Sequence, residues 1–281
     1  VYELGSVFKT FTIAAGFNYK LISPSDIFKN LEKKMKCGGR VISEYDENLP
    51  KDLSVEEILM HSSNIGSVKI GQIVGKEKMK EFLGLIGILD KMEFDIEEVG
   101  RPLSFKWRDC KLKTVSYGHG ITVTPLQLAK GYAILSNGGY QVNPTLIKKL
   151  DLTKRKKILN DDTSSKINSI LRKVVISGTA SLSDVDGYEV GGKTGTAQVV
   201  ENGLYTKKKI NTFASVFPIS DPEYVLIILL EDTKLSRDYI YKYRNKPGSF
   251  KGTPFNTAGW TSVEIAGKII DKIGPILATK Y

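Results

Sequence analysis

Gly5-Ser6-Val7-Phe8-Lys9 stands at the mouth of an apolar segment, Phe11-Thr12-Ile13-Ala14-Ala15-Gly16-Phe17. The pattern predicts a helix beginning near Ser6, and on such a helix Ser6 and Lys9 share a face one turn apart, so an amine reaches a hydroxyl. A serine hydroxyl at its free pKa is a poor nucleophile and needs a base within hydrogen-bond reach. A desolvated lysine can be that base. The amino end of the helix adds backbone N–H groups and the positive end of the dipole, and Gly5 lets a substrate approach the backbone closely. S-x-x-K arises by chance about once in a few hundred residues at average usage, and in this chain it occurs only here.

Around that stretch the composition is ordinary for a globular protein: 281 residues, 41% hydrophobic and 26% charged, enough for one large domain or two lobes sharing a core. The longest apolar run, Tyr224-Val225-Leu226-Ile227-Ile228-Leu229-Leu230, is too short to span a bilayer and reads as a buried strand. No signal segment opens the chain and Val1 is not an initiator, so it reads as a processed or truncated piece with its targeting information upstream. Lys plus Arg outnumber Asp plus Glu 41 to 31, and the pI near 9.3 favours acidic partners such as an anionic polymer or lipid. The lysines are scattered, with short runs at Lys154-Arg155-Lys156-Lys157 and Lys207-Lys208-Lys209. They read as solvated surface, and no nucleic-acid module is recognisable. Cys37 and Cys110 form neither a metal spacing nor a disulfide framework, and are expected to be free and inert.

Along the chain, Ile22 to Pro50 is polar and broken by Pro and Gly, and reads as loop with short strands. Helical spacing follows in Asp52 to Met60, through Val68 and Ile73, and around Met79 to Ile86, with a break at His61-Ser62-Ser63-Asn64-Ile65-Gly66. Glu93 to Thr114 reads as a long irregular stretch. Thr124-Pro125-Leu126-Gln127 is a helix start, with Thr as N-cap, Pro at the first position and Gln as the return cap; Gly138-Gly139 stops that helix. Another spans about Ser164 to Val175. The last third changes period: Thr196 to Val200, Asn211 to Phe217 and Tyr224 to Leu230 read as an antiparallel meander, turning at Asn202-Gly203 and Ser220-Asp221-Pro222. Thr261 to Leu277 closes the chain as a helix, and Thr233 to Gly259 reads as a Tyr- and Lys-rich loop, a lip over a cleft.

Gly187 to Thr194 admits two readings. G-x-x-x-x-G-K-T is the phosphate-loop pattern, which would make the protein an ATPase, but that mechanism needs a strand just before the loop and a helix just after it. Neither is visible. The other reading makes Lys193-Thr194-Gly195-Thr196 the start of an edge strand beside the serine. Lys193 then supplies positive charge, the Thr194 and Thr196 hydroxyls bind a carboxylate, and Gly195 lets substrate lie against the backbone.

Ser6-x-x-Lys9, Ser62-x-Asn64 and Lys193-Thr194-Gly195, once each and in that order, resemble the three motifs of the penicillin-binding proteins and serine β-lactamases. The flanking residues resemble the class B peptidoglycan D,D-transpeptidases of cell division: Tyr2-Glu3-x-Gly5-Ser6, His61 to Gly66, Tyr117-Gly118-x-Gly120-Ile121-x-Val123-Thr124-Pro125-Leu126-Gln127-Leu128-Ala129, and Gly192 to Gln198. Asn64, where elongation-type relatives usually carry Asp, favours the division type. Leu4 replaces a proline common in the family and His119 an aromatic; neither removes a catalytic group, and His61 and His119 are read as structural.

The resemblance implies an α+β transpeptidase fold, with a mostly helical subdomain over about 22–175 and the sheet and closing helix over about 189–281. It implies that Ser6 attacks the carbonyl between two terminal D-alanines of a peptidoglycan stem peptide, with Lys9 taking its proton. The backbone N–H groups of Ser6 and Thr196 would hold the oxyanion, worth about 3 kcal/mol per donor. Ser62, assisted by Lys193, would pass a proton to the departing amine, and Asn64 would bind the substrate amide or orient Lys9. An amine from a neighbouring stem would then resolve the ester into a cross-link. No cofactor or metal is implied. The partners implied are stem peptides, β-lactam antibiotics and other cell-division membrane proteins, on the outer, periplasmic side of a bacterial inner membrane, held by an upstream anchor. A β-lactamase would share the first half of the reaction, but the class A glutamate segment E-x-x-L-N is absent, Glu97 and Glu98 leading instead into Val99-Gly100-Arg101-Pro102. A non-catalytic penicillin sensor would share all three motifs. The family's sheet has five strands, two of them preceding the serine helix, so the strand Tyr224 to Leu230 is expected either to stand open along one edge or to pair with a segment from elsewhere.

Overall fold

The computed structural model describes residues 1–148, 155–201, 203–234, 236–252 and 255–279. Lys154 and Asn202, named above in a basic run and a turn, lie outside them.

The chain opens with a single 3-10 turn, Gly5–Phe8, that runs directly into helix α1, Lys9–Asn18. Every residue of α1 from Lys9 to Phe17 is buried, which is the behaviour of a helix apolar all round its circumference. Its two threonines are reconciled with that burial by specific partners: the Thr10 hydroxyl lies 2.9 Å from the Tyr132 hydroxyl, and Thr12 Oγ1 donates to the Ser116 carbonyl at 2.9 Å. The polar stretch that follows contains the short strands β1 (Ile27–Phe28), β2 (Lys34–Cys37), β3 (Arg40–Ser43) and β4 (Leu53–Ser54); β1 pairs with β4 and β2 with β3, both antiparallel.

Helices α2 (Val55–Met60), α3 (Asn64–Val74) and α4 (Lys76–Leu85) come next. Ser54 and Glu57 form a capping box that starts α2, so the helical spacing read from Asp52 begins as strand and becomes helix only after Ser54. Asp109–Val115 is helix α5, and it takes up the end of the stretch from Glu93 to Thr114 expected to be irregular. Helix α6, Pro125–Ser136, starts on the Thr124/Gln127 capping box with Pro125 in its first turn, and α7 spans Asp161–Ser177.

The sheet is an antiparallel meander in the order β5 (Gly191–Glu201), β6 (Leu204–Phe217), β7 (Tyr224–Glu231). Gly192 to Thr194 lie within β5 and no helix follows them, which removes the geometry a phosphate loop requires. β6 is central, and its residues from Asn211 to Phe217 are buried. β7 pairs with β6 alone among the described residues, and Tyr224 to Leu230 are half-buried throughout. The segment after β7 is more ordered than a loop: β8 (Ile240–Lys242) and β9 (Ser249–Lys251) form a hairpin whose Tyr241 and Phe250 rings pack with Trp260. Arg244 Nη1 bonds the buried Glu264 carboxylate at 2.9 Å, tying this hairpin to the closing helix α8, Ser262–Ala278.

Cys37 and Cys110 are joined in a disulfide, with Cα atoms 5.3 Å apart, which corrects the expectation that both are free. The β2–β3 hairpin carries Cys37 to the first turn of α5. A separation of 73 residues gives no hint of that meeting in one dimension.

Candidate active site

The turn that carries Ser6 is held from both ends. Gly5 adopts a left-handed φ of +61°, and a Cβ there would lie 2.9 Å from the Thr196 carbonyl oxygen. Across the same contact a Cβ on Gly195 would stand 2.3 Å from the Leu4 carbonyl oxygen. Only glycines at these two places let the outer edge of β5 lie directly on the serine turn. Lys9 N–H donates to the Ser6 carbonyl, so the two residues are one 3-10 turn apart, with Ser6 half-buried and Lys9 fully buried.

The Lys9 amine extends to the junction between α2 and α3. There Nζ donates to Ser62 Oγ at 3.0 Å and also to the Ser62 backbone carbonyl. Lys193, buried on β5, donates to the same Ser62 Oγ at 3.0 Å and to the Thr194 carbonyl at 3.1 Å. Ser62 itself has a φ of 61°. A non-glycine residue in that region costs on the order of 1–3 kcal/mol and persists only where its surroundings over-determine it. The Ser62 N–H bonds the Leu59 carbonyl at 3.3 Å and the Ser63 N–H bonds the Ile58 carbonyl at 2.9 Å, which fixes the chain on both sides.

Burial lowers the Lys9 pKa to about 7, the Glu44 carboxylate acting in the opposite direction. Burial, and then the charge of Lys9, hold Lys193 well below the ordinary lysine range. Desolvation penalises the charged form of an amine, and two cations on one hydroxyl penalise each other. The arrangement therefore keeps a neutral amine available at neutral pH, one turn from Ser6.

Other sequence-predicted residues arrive with different partners. Asn64 Nδ2 donates to the Ser43 carbonyl at 2.8 Å, rather than to the Lys9 side. Thr194 Oγ1 pairs with Thr179 Oγ1 at 2.7 Å, and Thr196 Oγ1 lies 3.2 Å from Asn211 Oδ1 and accepts from the Ala258 N–H at 3.0 Å. These threonine hydroxyls are engaged within the protein, so a carboxylate could take them only by exchange. His119 stacks on Tyr117 and Tyr205, ring centroids 5.9 and 5.0 Å away. Glu3 accepts from the Tyr205 hydroxyl at 3.1 Å.

Two residues escaped the sequence reading. Asn211, paired with Thr196 across β5 and β6, donates to Thr233 Oγ1 and Asn256 Oδ1 at 2.8 and 2.6 Å; an asparagine in a run of strand-formers is the one local sign. Glu44, nine-tenths buried, accepts from Ser63 Oγ at 2.5 Å, Asn64 N–H at 2.7 Å and Ile65 N–H at 2.9 Å. It lies in an acidic, solvent-like stretch, Glu44-Tyr45-Asp46-Glu47, which gives no signal of burial.

The chain is similar to curated peptidoglycan transpeptidases. The probable peptidoglycan D,D-transpeptidase FtsI of Caulobacter vibrioides is 31% identical over 100% of this chain and 47% of the relative, and the probable peptidoglycan D,D-transpeptidase PenA of Neisseria flavescens is 29% identical over 82% of this chain and 58% of the relative. The chain thus spans about half the length of the curated relatives it matches. Among solved structures, the TP domain of Burkholderia pseudomallei penicillin-binding protein 3 superposes with a TM-score of 0.82 at 23% identity, over 98% of this chain and 80% of that one. Penicillin-binding protein 3 of Mycobacterium tuberculosis, solved with aztreonam, gives 0.79 at 23% identity, over 97% and 63%. These two likenesses carry the α+β transpeptidase fold. With the penicillin binding protein transpeptidase domain matched over residues 1–249 and a 31% identical relative aligned along the whole chain, this protein belongs to the penicillin-binding protein transpeptidase family.

Proposed function

We propose that the chain is the catalytic region of a division-type peptidoglycan D,D-transpeptidase that works through an acyl-enzyme on Ser6. The observation that carries this reading is the meeting of two buried lysine amines, each 3.0 Å from Ser62 Oγ, one of them on Lys9, a single turn from Ser6. Neutral Lys9 takes the Ser6 proton as Oγ attacks the carbonyl carbon of the penultimate D-alanine; the Oγ–C bond forms and the peptide C–N bond breaks. The proton passes from Lys9 through Ser62 Oγ to the departing D-alanine nitrogen, with Lys193 holding Ser62 from the other side. In the second half the amine of a neighbouring stem attacks the ester carbonyl and gives up a proton to the Ser62–Lys9 pair; the C–N bond forms, the Oγ–C bond breaks, and that proton returns to Ser6 Oγ. Gly195 and Thr196 on the edge of β5 form the rail for the donor peptide, the Ser6 and Thr196 N–H groups receive the oxyanion, and Asn64 would meet the substrate amide after release from Ser43. β-Lactams would acylate the same oxygen. Division proteins of the membrane are the partners in this reading, and the reaction takes place on the outer face of the inner membrane.

Labelling with a fluorescent penicillin tests it. Durable, Ser6-dependent labelling is expected; rapid release of the label would point to a β-lactamase, and absence of labelling would overturn the reading.

A further inference from the structure

Ser62 can serve both lysines only if the α2–α3 junction holds a left-handed residue in place, and besides the α2 carbonyls of Ile58 and Leu59 the groups that hold it come from outside those helices. Ser43, the last residue of β3, accepts from Asn64 Nδ2 at 2.8 Å, and the next residue, Glu44, takes the Ser63 hydroxyl and the N–H groups of Asn64 and Ile65. Two neighbours thus grip three consecutive residues of the junction. The Ser63 hydroxyl is used twice: it donates to Glu44 and accepts from the Gly66 N–H at 2.9 Å, closing the cap of α3. Glu44 is itself pinned, its N–H on the Lys33 carbonyl at 3.0 Å. The β2–β3 hairpin that carries it is tied to α5 by the Cys37–Cys110 disulfide.

A buried carboxylate with three donors has a structural use at a helix amino end, where backbone N–H groups and the dipole favour negative charge. Its location adds a second use. The Glu44 carboxylate, from the end of β3, is the charge that favours the Lys9 ammonium, and Lys9 in turn disfavours the ammonium of Lys193 on β5.

We propose that Glu44 is a positioning residue of the acyl-transfer site, which fixes the Ser62 junction through Ser63, Asn64 and Ile65 and supplies the negative charge that acts on Lys9. The acyl-transfer role rests on the function proposed above; the effect on Lys9 does not. Glu44 touches no reacting atom. It acts through Ser62 and Lys9.

The experiment is a titration of the chain labelled with 13C at lysine Cε, with the Lys9 resonance assigned by its loss in Lys9→Arg, alongside penicillin acylation rates over the same pH range. Glu44→Gln keeps the size of the side chain and removes its charge. The Lys9 midpoint should fall by about one unit, the low end of what an opposite charge near an amine is worth, which by itself raises the neutral fraction of Lys9 at pH 7; acylation should nevertheless slow several-fold at every pH, because the Ser62 junction has lost the carboxylate that fixes it. Glu44→Asp restores the charge but withdraws the carboxylate by one methylene; it should keep the wild-type midpoint while acylating more slowly, and it decides the matter if Glu44→Gln does not fold. A purely structural Glu44 would leave the Lys9 midpoint where it is in folded Glu44→Gln, and that result, or acylation by Glu44→Asp at the wild-type rate, would overturn the proposal. If wild-type protein fails to label at Ser6, the transpeptidase reading fails, while the titration still decides whether Glu44 governs Lys9.

Discussion

Lys9 grips Ser62 at two points, its Nζ donating to the backbone carbonyl and, at 3.0 Å, to Oγ. The proposed base and proton relay are therefore one hydrogen-bonded unit, and Lys193 completes it from the sheet side. Removing the Ser62 hydroxyl takes one partner from each of two buried amines, leaving Lys9 on the Ser62 carbonyl and Lys193 on the Thr194 carbonyl. Ser62→Ala is expected to slow acylation by about 10²-fold or more, within the range seen for lost acid–base groups, and to lower the melting temperature. A variant that melts and acylates as wild type would show that Ser62 does not link the lysines.

The ionisation of Lys9 sets a pH dependence whose sign can be worked out. Its ordinary value is 10.5 and the folded value is about 7, so the neutral base appears as pH rises through 7, and the acylation rate should climb on that limb. Between pH 7 and 10.5 the unfolded chain holds a proton that the folded chain lacks, so this group's contribution makes stability rise with pH across the window. Below 7 both states are protonated and the cost of burying the charge is present in full. Relative to wild type, Lys9→Met should therefore be most stabilised below pH 7, the advantage shrinking towards pH 10. A stability difference independent of pH would contradict the assignment.

Gly195 presses against the Leu4 carbonyl and, with its would-be Cβ 3.1 Å from it, the Val7 N–H. Gly195→Ala should push β5 off the serine turn, costing about 1–3 kcal/mol as overpacking does and reducing acylation more than it reduces stability. Thermal melts with acylation kinetics check this. Wild-type values for both would mean that the strand and turn are not in register.

The disulfide closes a loop of 73 residues, and the loop-entropy estimate for such a length is about 4 kcal/mol. The Cys37→Ala/Cys110→Ala double variant should lose on the order of 2–4 kcal/mol in denaturant melts. Acylation should also weaken, because the hairpin that presents Ser43 and Glu44 is freed at one end. Two titratable thiols in the native, unreduced protein would contradict the bond.

Much of this architecture can be read one residue at a time. Thr124, Pro125 and Gln127 specify the start of α6 by local chemistry alone, and the three motifs carry enough chemistry to nominate Ser6, Lys9, Ser62 and Lys193 before any fold is known. The strands of the meander follow from their β-branched runs. What could not be read are the meetings between distant elements. Cys37 and Cys110 approach only because a four-residue-strand hairpin turns back towards α5. Glu44 looks like surface until Ser63, Asn64 and Ile65 are placed on it. Asn64 belongs to the right motif, yet its side chain donates to the Ser43 carbonyl, a partner 21 residues away that the motif itself does not announce. The helix α5 was hidden by the Lys- and Arg-rich residues around it, whose solvated faces mask its two buried anchors, Leu112 and Val115.

The most direct test is intact-mass spectrometry of the protein after exposure to benzylpenicillin, followed by peptide mapping of wild type and Ser6→Ala. The expected result is a single penicilloyl adduct on the peptide containing Ser6 and no adduct on Ser6→Ala. An adduct that persists in Ser6→Ala, or that maps to Ser62 or another residue, would contradict the assignment of Ser6 as the nucleophile served by Lys9.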